Sequence, residues 1–169
     1  MEQKSKITTV LIAPLDWGLG HATRCIPIIR IMNNSGWRVI LAADGNTATL
    51  LKNEFPDLLL LSLKGYNIYY STKKWMLPFT ILLQVPKILC AIKNEHRWLQ
   101  NKIDTHQIDL VISDNRYGLH SSKIPSVFIT HQLTIKMPFG WLERWVQKTN
   151  YNYIQQFSQC WIPDFEGAN

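Results

Sequence analysis

The segment Gly18-Leu19-Gly20-His21-Ala22-Thr23-Arg24 sets two glycines, an imidazole and a guanidinium within seven positions. Glycines lack a Cβ, so their backbone can approach a ligand closely and take positive φ. A helix opening just beyond them would aim free N–H groups and its positive dipole end at a phosphate or a developing anion. His21, at that helix start, is a candidate to accept a proton from a hydroxyl. Asp114 could receive the other ring N–H and fix the tautomer, the base-plus-orienter pattern of activated hydroxyl chemistry. Each residue also has a plainer use: a tight turn for Gly18 and Gly20, a helix cap for His21, a surface position or a phosphate contact for Arg24. The dinucleotide fingerprint G-x-G-x-x-G is absent, because Thr23 stands at its last glycine, and Asp44 is the sole candidate for a ribose-binding acid.

Around these residues the chain must supply elements that hold them. Thr8 to Ala13 is a β-branched apolar run and predicts a strand buried on both faces. Ala22, Cys25, Ile26, Ile29 and Met32 have helical spacing, closed by Asn33, Asn34 and Gly36. Trp37–Ala43 and Leu58–Leu63 predict two more strands, with a short helix over Thr47–Phe55 between them. Lys64 to Trp75 is polar, aromatic and basic and reads as a long loop. A helix follows with Leu82, Val85, Leu89, Ile92, His96, Leu99 and Ile103 on one face, kinked or begun at Pro86. Asp109–Ser113, Ser126–Thr130 and Gln159–Pro163 complete the strands, and Trp141–Phe157 predicts a last helix. This alternation predicts an α/β domain: a single Rossmann-like, doubly wound parallel sheet.

Ligands of such sheets collect at the carboxyl ends of the strands. The sequence places Asp16, Gly18, Gly20 and His21 after the first strand, and Asp44-Gly45 after the second. Asp114, Asn115 and Arg116 follow the fourth, His131 and Gln132 the fifth. His131 and Gln132 would bind a sugar hydroxyl or satisfy loop backbone. His96, His106 and His120 read as structural or solvent-facing.

The 169 residues are 46% hydrophobic, enough for one domain with a core. Cys25, Cys90 and Cys160 are scattered and odd in number with no CxxC, so neither a disulfide framework nor a zinc site is expected, and reduced thiols fit a cytoplasmic protein. The first 14 residues lack the apolar stretch of a signal peptide. Trp75 to Ile92 is interrupted by Pro78, Gln84, Pro86 and Lys87, so no spanning helix is expected there. The net charge is +6, and seven basic residues against two acids between Lys64 and Asp104 carry +5 of it. Interleaved with Tyr66, Tyr69, Tyr70, Trp75, Met76, Leu77 and Phe79, they suit the face of an anionic membrane. Solvated lysines over inward-packed apolar residues are the plainer alternative. No nucleic-acid signature accompanies them, so nucleic acid is not an expected partner. The final CWIPDFEGAN ends on a strand-like run without a covering helix and reads as a cut at a domain boundary.

The loop Gly18-Leu19-Gly20-His21-Ala22-Thr23-Arg24, the string DLVISDNRYGLH at 109–120 and FITHQ at 128–132 together resemble the MurG-like glycosyltransferases of the GT-B fold. The resemblance covers most of the chain. It implies that residues 1–169 form an N-terminal acceptor-binding Rossmann-like domain, one half of a GT-B fold. The C-terminal nucleotide-sugar domain lies outside this chain, which alone is expected to transfer sugar poorly or not at all. The implied reaction is inverting and metal-independent and uses no cofactor; a nucleotide-sugar, UDP-linked, is a substrate. His21 would be the base for an acceptor hydroxyl and Asp114 its orienting partner. Gly18 and Gly20 would lie near the diphosphate or acceptor, Arg24 would meet a phosphate, and Asn115, Arg116, His131 and Gln132 would line the acceptor side. The setting implied is cell-envelope glycan or glycolipid synthesis at the inner face of the membrane. MurG itself carries more glycines in this loop, so its acceptor is not carried over. A nucleotide-sugar epimerase of the same architecture, or a non-catalytic module docking on a membrane or partner through residues 64–104, are the competing readings.

Overall fold

The computed structural model describes residues 7–66, 77–131, 133–135, 137 and 139–163, and of residues 77–82 the backbone alone. Six strands form one parallel sheet: β1 (Thr9–Pro14), β2 (Arg38–Ala43), β3 (Leu59–Ser62), β4 (Leu110–Asp114), β5 (Ser126–Ile129) and β6 (Gln159–Trp161), in the order β3-β2-β1-β4-β5-β6. Four helices join them: α1 (Leu19–Asn34), α2 (Gly45–Glu54), α3 (Leu77–His106) and α4 (Gly140–Ile154). The doubly wound architecture expected from the strand–helix alternation is present.

Period-two side chains explain why helices cover both faces. Val10 and Ile12 of β1, with Val39 and Leu41 of β2, pack against Cys25 and Ile29 of α1 and Leu51 of α2. The alternate residues Leu11, Ala13, Ile40 and Ala42 face Leu99 and Ile103 of α3. Phe128 of β5 points to that same side and meets Ile154 of α4 and Phe157 just after it. Strands apolar on both faces must be covered twice, which is why these runs lack a polar alternation.

The element ends differ from the sequence expectations for local reasons. Helix α1 opens at Leu19, three residues before the first periodic Ala22, because Gly18 at φ +95° turns the chain straight out of the loop. Helix α2 opens at Gly45: the Asp44 carboxylate accepts from the Gly45 N–H at 2.9 Å and caps it, the role Asp44 takes here. Helix α3 runs through Pro86, neither broken nor begun there. Most of the expected loop, residues 67–76, lies outside the described residues.

The strand order reverses between β1 and β4, which pair with Pro14 opposite Asp114. A crevice opens beyond the carboxyl ends at such a reversal, and ligands of open α/β sheets bind there. The loop after β1 and the end of β4 therefore meet at one place.

Candidate functional site at the carboxyl rim

His21 and Arg24 lie three residues apart in α1, so one helix face presents both toward the end of β4. Asp114, the last residue of β4, is fully buried and receives them. The Arg24 guanidinium grips its carboxylate with two N–H groups: Nε donates to Oδ2 at 2.6 Å, and Nη2 donates to Oδ1. His21 Nδ1 stands 3.1 Å from Asp114 Oδ2, with its side chain 15% exposed. The sequence pairing of His21 with Asp114 is thus matched by proximity. Arg24, expected at the surface or on a phosphate, holds the same carboxylate. The His21/Arg24 spacing signals a shared helix face, not this contact.

Arg24 reaches two rings besides. Its Nη2 lies 2.7 Å from His21 Nδ1, and its Nη1 lies 2.9 Å from Nδ1 of His131, which follows β5. His131 is exposed, and the cluster draws on three segments: His21 and Arg24 in α1 after β1, Asp114 at the end of β4, and His131 after β5. Cys25, next to Arg24, turns its thiol toward Asp114 Oδ2 at 3.8 Å. Burial, and then the neighbouring carboxylate, push that thiol far up, so Cys25 stays protonated and is no nucleophile.

Gly18 and Gly20 are exposed, and nothing lies within 4 Å of a Cβ built on either. Only Gly18, at φ +95°, needs glycine for its backbone. Asn115 is nearly buried at φ +55°, and its N–H donates to the Ile129 carbonyl at 3.1 Å. That left-handed residue turns the chain so that Arg116 points inward.

Arg116 corrects the sequence reading. It was expected to line the acceptor side, yet its side chain is 0% exposed. Nε donates to Glu95 Oε1 at 2.9 Å, and Nη2 donates to the Lys64 carbonyl at 2.6 Å. Longer bonds of 3.3 Å go to the carbonyls of Pro14 and Leu63. Glu95 Oε2 accepts from Tyr66 Oη at 2.8 Å and from the Gly118 N–H at 3.2 Å. Burial pushes the Glu95 carboxyl up, while Arg116 and the Tyr66 and Gly118 donors hold it down. Arg116 thus ties the ends of β1 and β3 to α3 beneath the rim, and sequence alone had no sign that Glu95 and Tyr66 belong with it. Gln132 lies outside the described residues.

No protein-family model and no curated protein sequence matches the chain. Solved structures do. Acinetobacter baumannii MurG superposes with a TM-score of 0.54 at 14% identity, over 96% of this chain and 43% of that one. Arabidopsis thaliana UGT89C1, solved with UDP, gives 0.59 at 12% identity, over 96% and 46%. The fold is that of a GT-B half-domain. A Listeria monocytogenes protein described as a UDP-N-acetylglucosamine 2-epimerase shares it, at 0.60 and 7% identity over 93% and 39%. The chain therefore spans less than half the length of these neighbours. In this GT-B half-domain the rim cluster sits in the crevice where the strand order turns.

Among the described residues, no group of three or more His, Cys, Asp or Glu could hold a metal ion, and no helix is long and apolar enough to cross a membrane.

Proposed function

We propose that this GT-B half-domain is the acceptor-side half of a glycosyltransferase that moves a sugar from a nucleotide-sugar to a hydroxyl. The observation that carries the reading is His21 Nδ1 at 3.1 Å from the buried Asp114 carboxylate, at the carboxyl rim of this fold. In the reacting form Asp114 holds a proton on Nδ1, and the ring presents Nε2 to an acceptor hydroxyl. As the hydroxyl oxygen attacks the anomeric carbon, Nε2 takes its proton and Asp114 stabilises the imidazolium. The bond from the anomeric carbon to the leaving diphosphate breaks with inversion, without a metal. The free N–H groups at the start of α1, behind Gly18 and Gly20, suit the charge that develops. His131 would contact the acceptor. A UDP-linked donor, a C-terminal nucleotide-sugar domain and a cytoplasmic place beside the membrane belong to the same proposal.

The shared fold of the 2-epimerase keeps a second reading in play: chemistry on the donor sugar without an acceptor. Incubating the full-length protein with UDP-sugars, with and without hydroxyl acceptors, separates them. Transfer needs the acceptor and yields a glycoside; epimerisation needs none and yields an altered UDP-sugar. Under the transferase reading, His21→Ala is expected to lower kcat roughly 10²–10⁴-fold, the usual share of a general base. Undiminished transfer by that variant would remove His21 from the mechanism.

A further inference from the structure

His21 Nδ1 is asked to do two incompatible things. Arg24 Nη2 stands 2.7 Å from it, and a guanidinium has donors only, so Nδ1 must accept that bond with its lone pair. Asp114 Oδ2 stands 3.1 Å from the same nitrogen, and that contact is favourable only when Nδ1 carries a hydrogen. One nitrogen of a neutral ring cannot satisfy both.

The surroundings say which demand prevails in the structure as it stands. Asp114 Oδ2 already accepts from Arg24 Nε at 2.6 Å and faces the Cys25 thiol. The contact to Arg24 is the shorter of the two at His21. The same guanidinium makes the matching contact to His131 Nδ1 at 2.9 Å, so both rings turn the same nitrogen toward one donor. Both therefore hold their hydrogen on Nε2 and offer an N–H, not a lone pair, to whatever enters.

We infer that Arg24 is a positioning residue that sets the tautomer of His21, and that a phosphate or diphosphate ester reaching Arg24 switches it. This deepens the proposed function, since it rests on His21 facing the acceptor. While Arg24 grips Asp114, His21 is a hydrogen-bond donor and cannot take a proton through Nε2. The Arg24 side chain is 24% exposed, so an anion can reach it from the crevice. An anion that draws the guanidinium away frees Asp114 to accept from Nδ1. The ring's single proton moves from Nε2 to Nδ1 by way of solvent, with no net gain or loss, and Nε2 becomes a base. The proton-accepting nitrogen then appears only with the charged ligand in place, which guards against idle proton transfer.

Long-range proton–nitrogen NMR on histidine-labelled protein, at pH about 8 where an ordinary imidazole is neutral, reads the tautomer directly. The ligand-free wild type is expected to show the His21 hydrogen on Nε2. Arg24→Gln is expected to move it to Nδ1, and Arg24→Lys, which cannot fork, to move it the same way. A change in packing alone would not exchange the two nitrogen signals. Titration with UDP, and separately with hexyl phosphate, tests whether the anion arrives on a nucleotide or on a lipid-like ester. The effective ligand shifts wild type toward Nδ1–H and leaves Arg24→Gln unchanged. A ligand-free wild type already protonated at Nδ1 overturns the inference, as does a wild type that neither ligand shifts; the first needs no variant to fold. The measurement is independent of turnover. Should His21→Ala still transfer sugar, the functional reading falls while the tautomer result stands. Should transfer need His21 while wild type rests as Nδ1–H, the switch alone falls.

Discussion

At the scale of single residues, Gly18 and Gly20 separate into two kinds of glycine. Gly18 is required by its own backbone at φ +95°. Gly20 lies in the first turn of α1 with open space around the place of its missing Cβ. Alanine there raises helix propensity, so Gly20→Ala is expected to hold or raise stability by up to about 1 kcal/mol. If a ligand's phosphate approaches this turn, the added methyl weakens UDP binding while the melting temperature does not fall. Calorimetric titration of both proteins, beside their thermal melts, checks the pair of outcomes. From sequence, His21 after the first strand and Asp114 at the end of the fourth were legible as neighbours on one rim, where the structure has them 3.1 Å apart, while the grip of Arg24 on Asp114 was not. Arg116 was misread, because its place after a strand says nothing about which way it turns. That direction is set by Asn115 at φ +55° and by Glu95, a residue 21 positions away on another element.

At the scale of elements, α3 is joined to the rim by the Glu95–Arg116 pair and by close backbone approach at Gly118. A Cβ on Gly118 would collide with the Ile92 carbonyl and with Glu95 Cβ. Removing Glu95 leaves a buried guanidinium without its carboxylate, so Glu95→Ala is expected to cost about 3–5 kcal/mol in urea unfolding. A second link gives α3 a pH dependence. His120 stacks on His96 of α3 with ring centroids 4.3 Å apart. Burial, and then His96, push His120 down to about 4. Its folded value lies below the ordinary 6.5, so between those limits the unfolded chain binds more protons. Stability from this group is full above pH about 6.5 and is lost as pH falls toward about 4. Melting temperatures measured across that window should drop less steeply for His120→Phe, which keeps the stack and removes the titration. The strands were readable as continuous apolar runs, since burial on both faces leaves no polar alternation to confuse the pattern. Helix starts were less readable. Gly18 opens α1 by backbone conformation, without a side-chain cap. Pro86 sits inside α3 on an exposed position, so the proline marks no helix start.

At the scale of the whole molecule, the net charge is concentrated in one stretch of the sequence. At the rim, Arg24 is held by Asp114, and its charge passes to an anion only when that grip is released. By sequence, residues 64–104 hold +5 of the net +6, and within α3 the basic residues are Lys87, Lys93, Arg97 and Lys102. On the exposed side of α3, Leu83 precedes Lys87 by four residues, and Leu89, Lys93 and Arg97 repeat that step, so apolar and basic groups share the outer surface. Leu83 is 83% exposed, a large apolar side chain with little protein around it. Such a surface suits an anionic bilayer, where each lysine or arginine near the headgroups contributes about 1 kcal/mol. If this face docks, the protein floats with vesicles containing phosphatidylserine and not with neutral ones. Reversing Lys87 and Lys93 to glutamate should then weaken binding by more than about tenfold, since each reversal removes one attraction and adds a repulsion. Because the charges act within a Debye length, raising salt should release the wild type before it affects the fold. Flotation insensitive to both salt and reversal would assign the basic surface to solvation alone and leave the rim as the place where this half-domain meets its ligands.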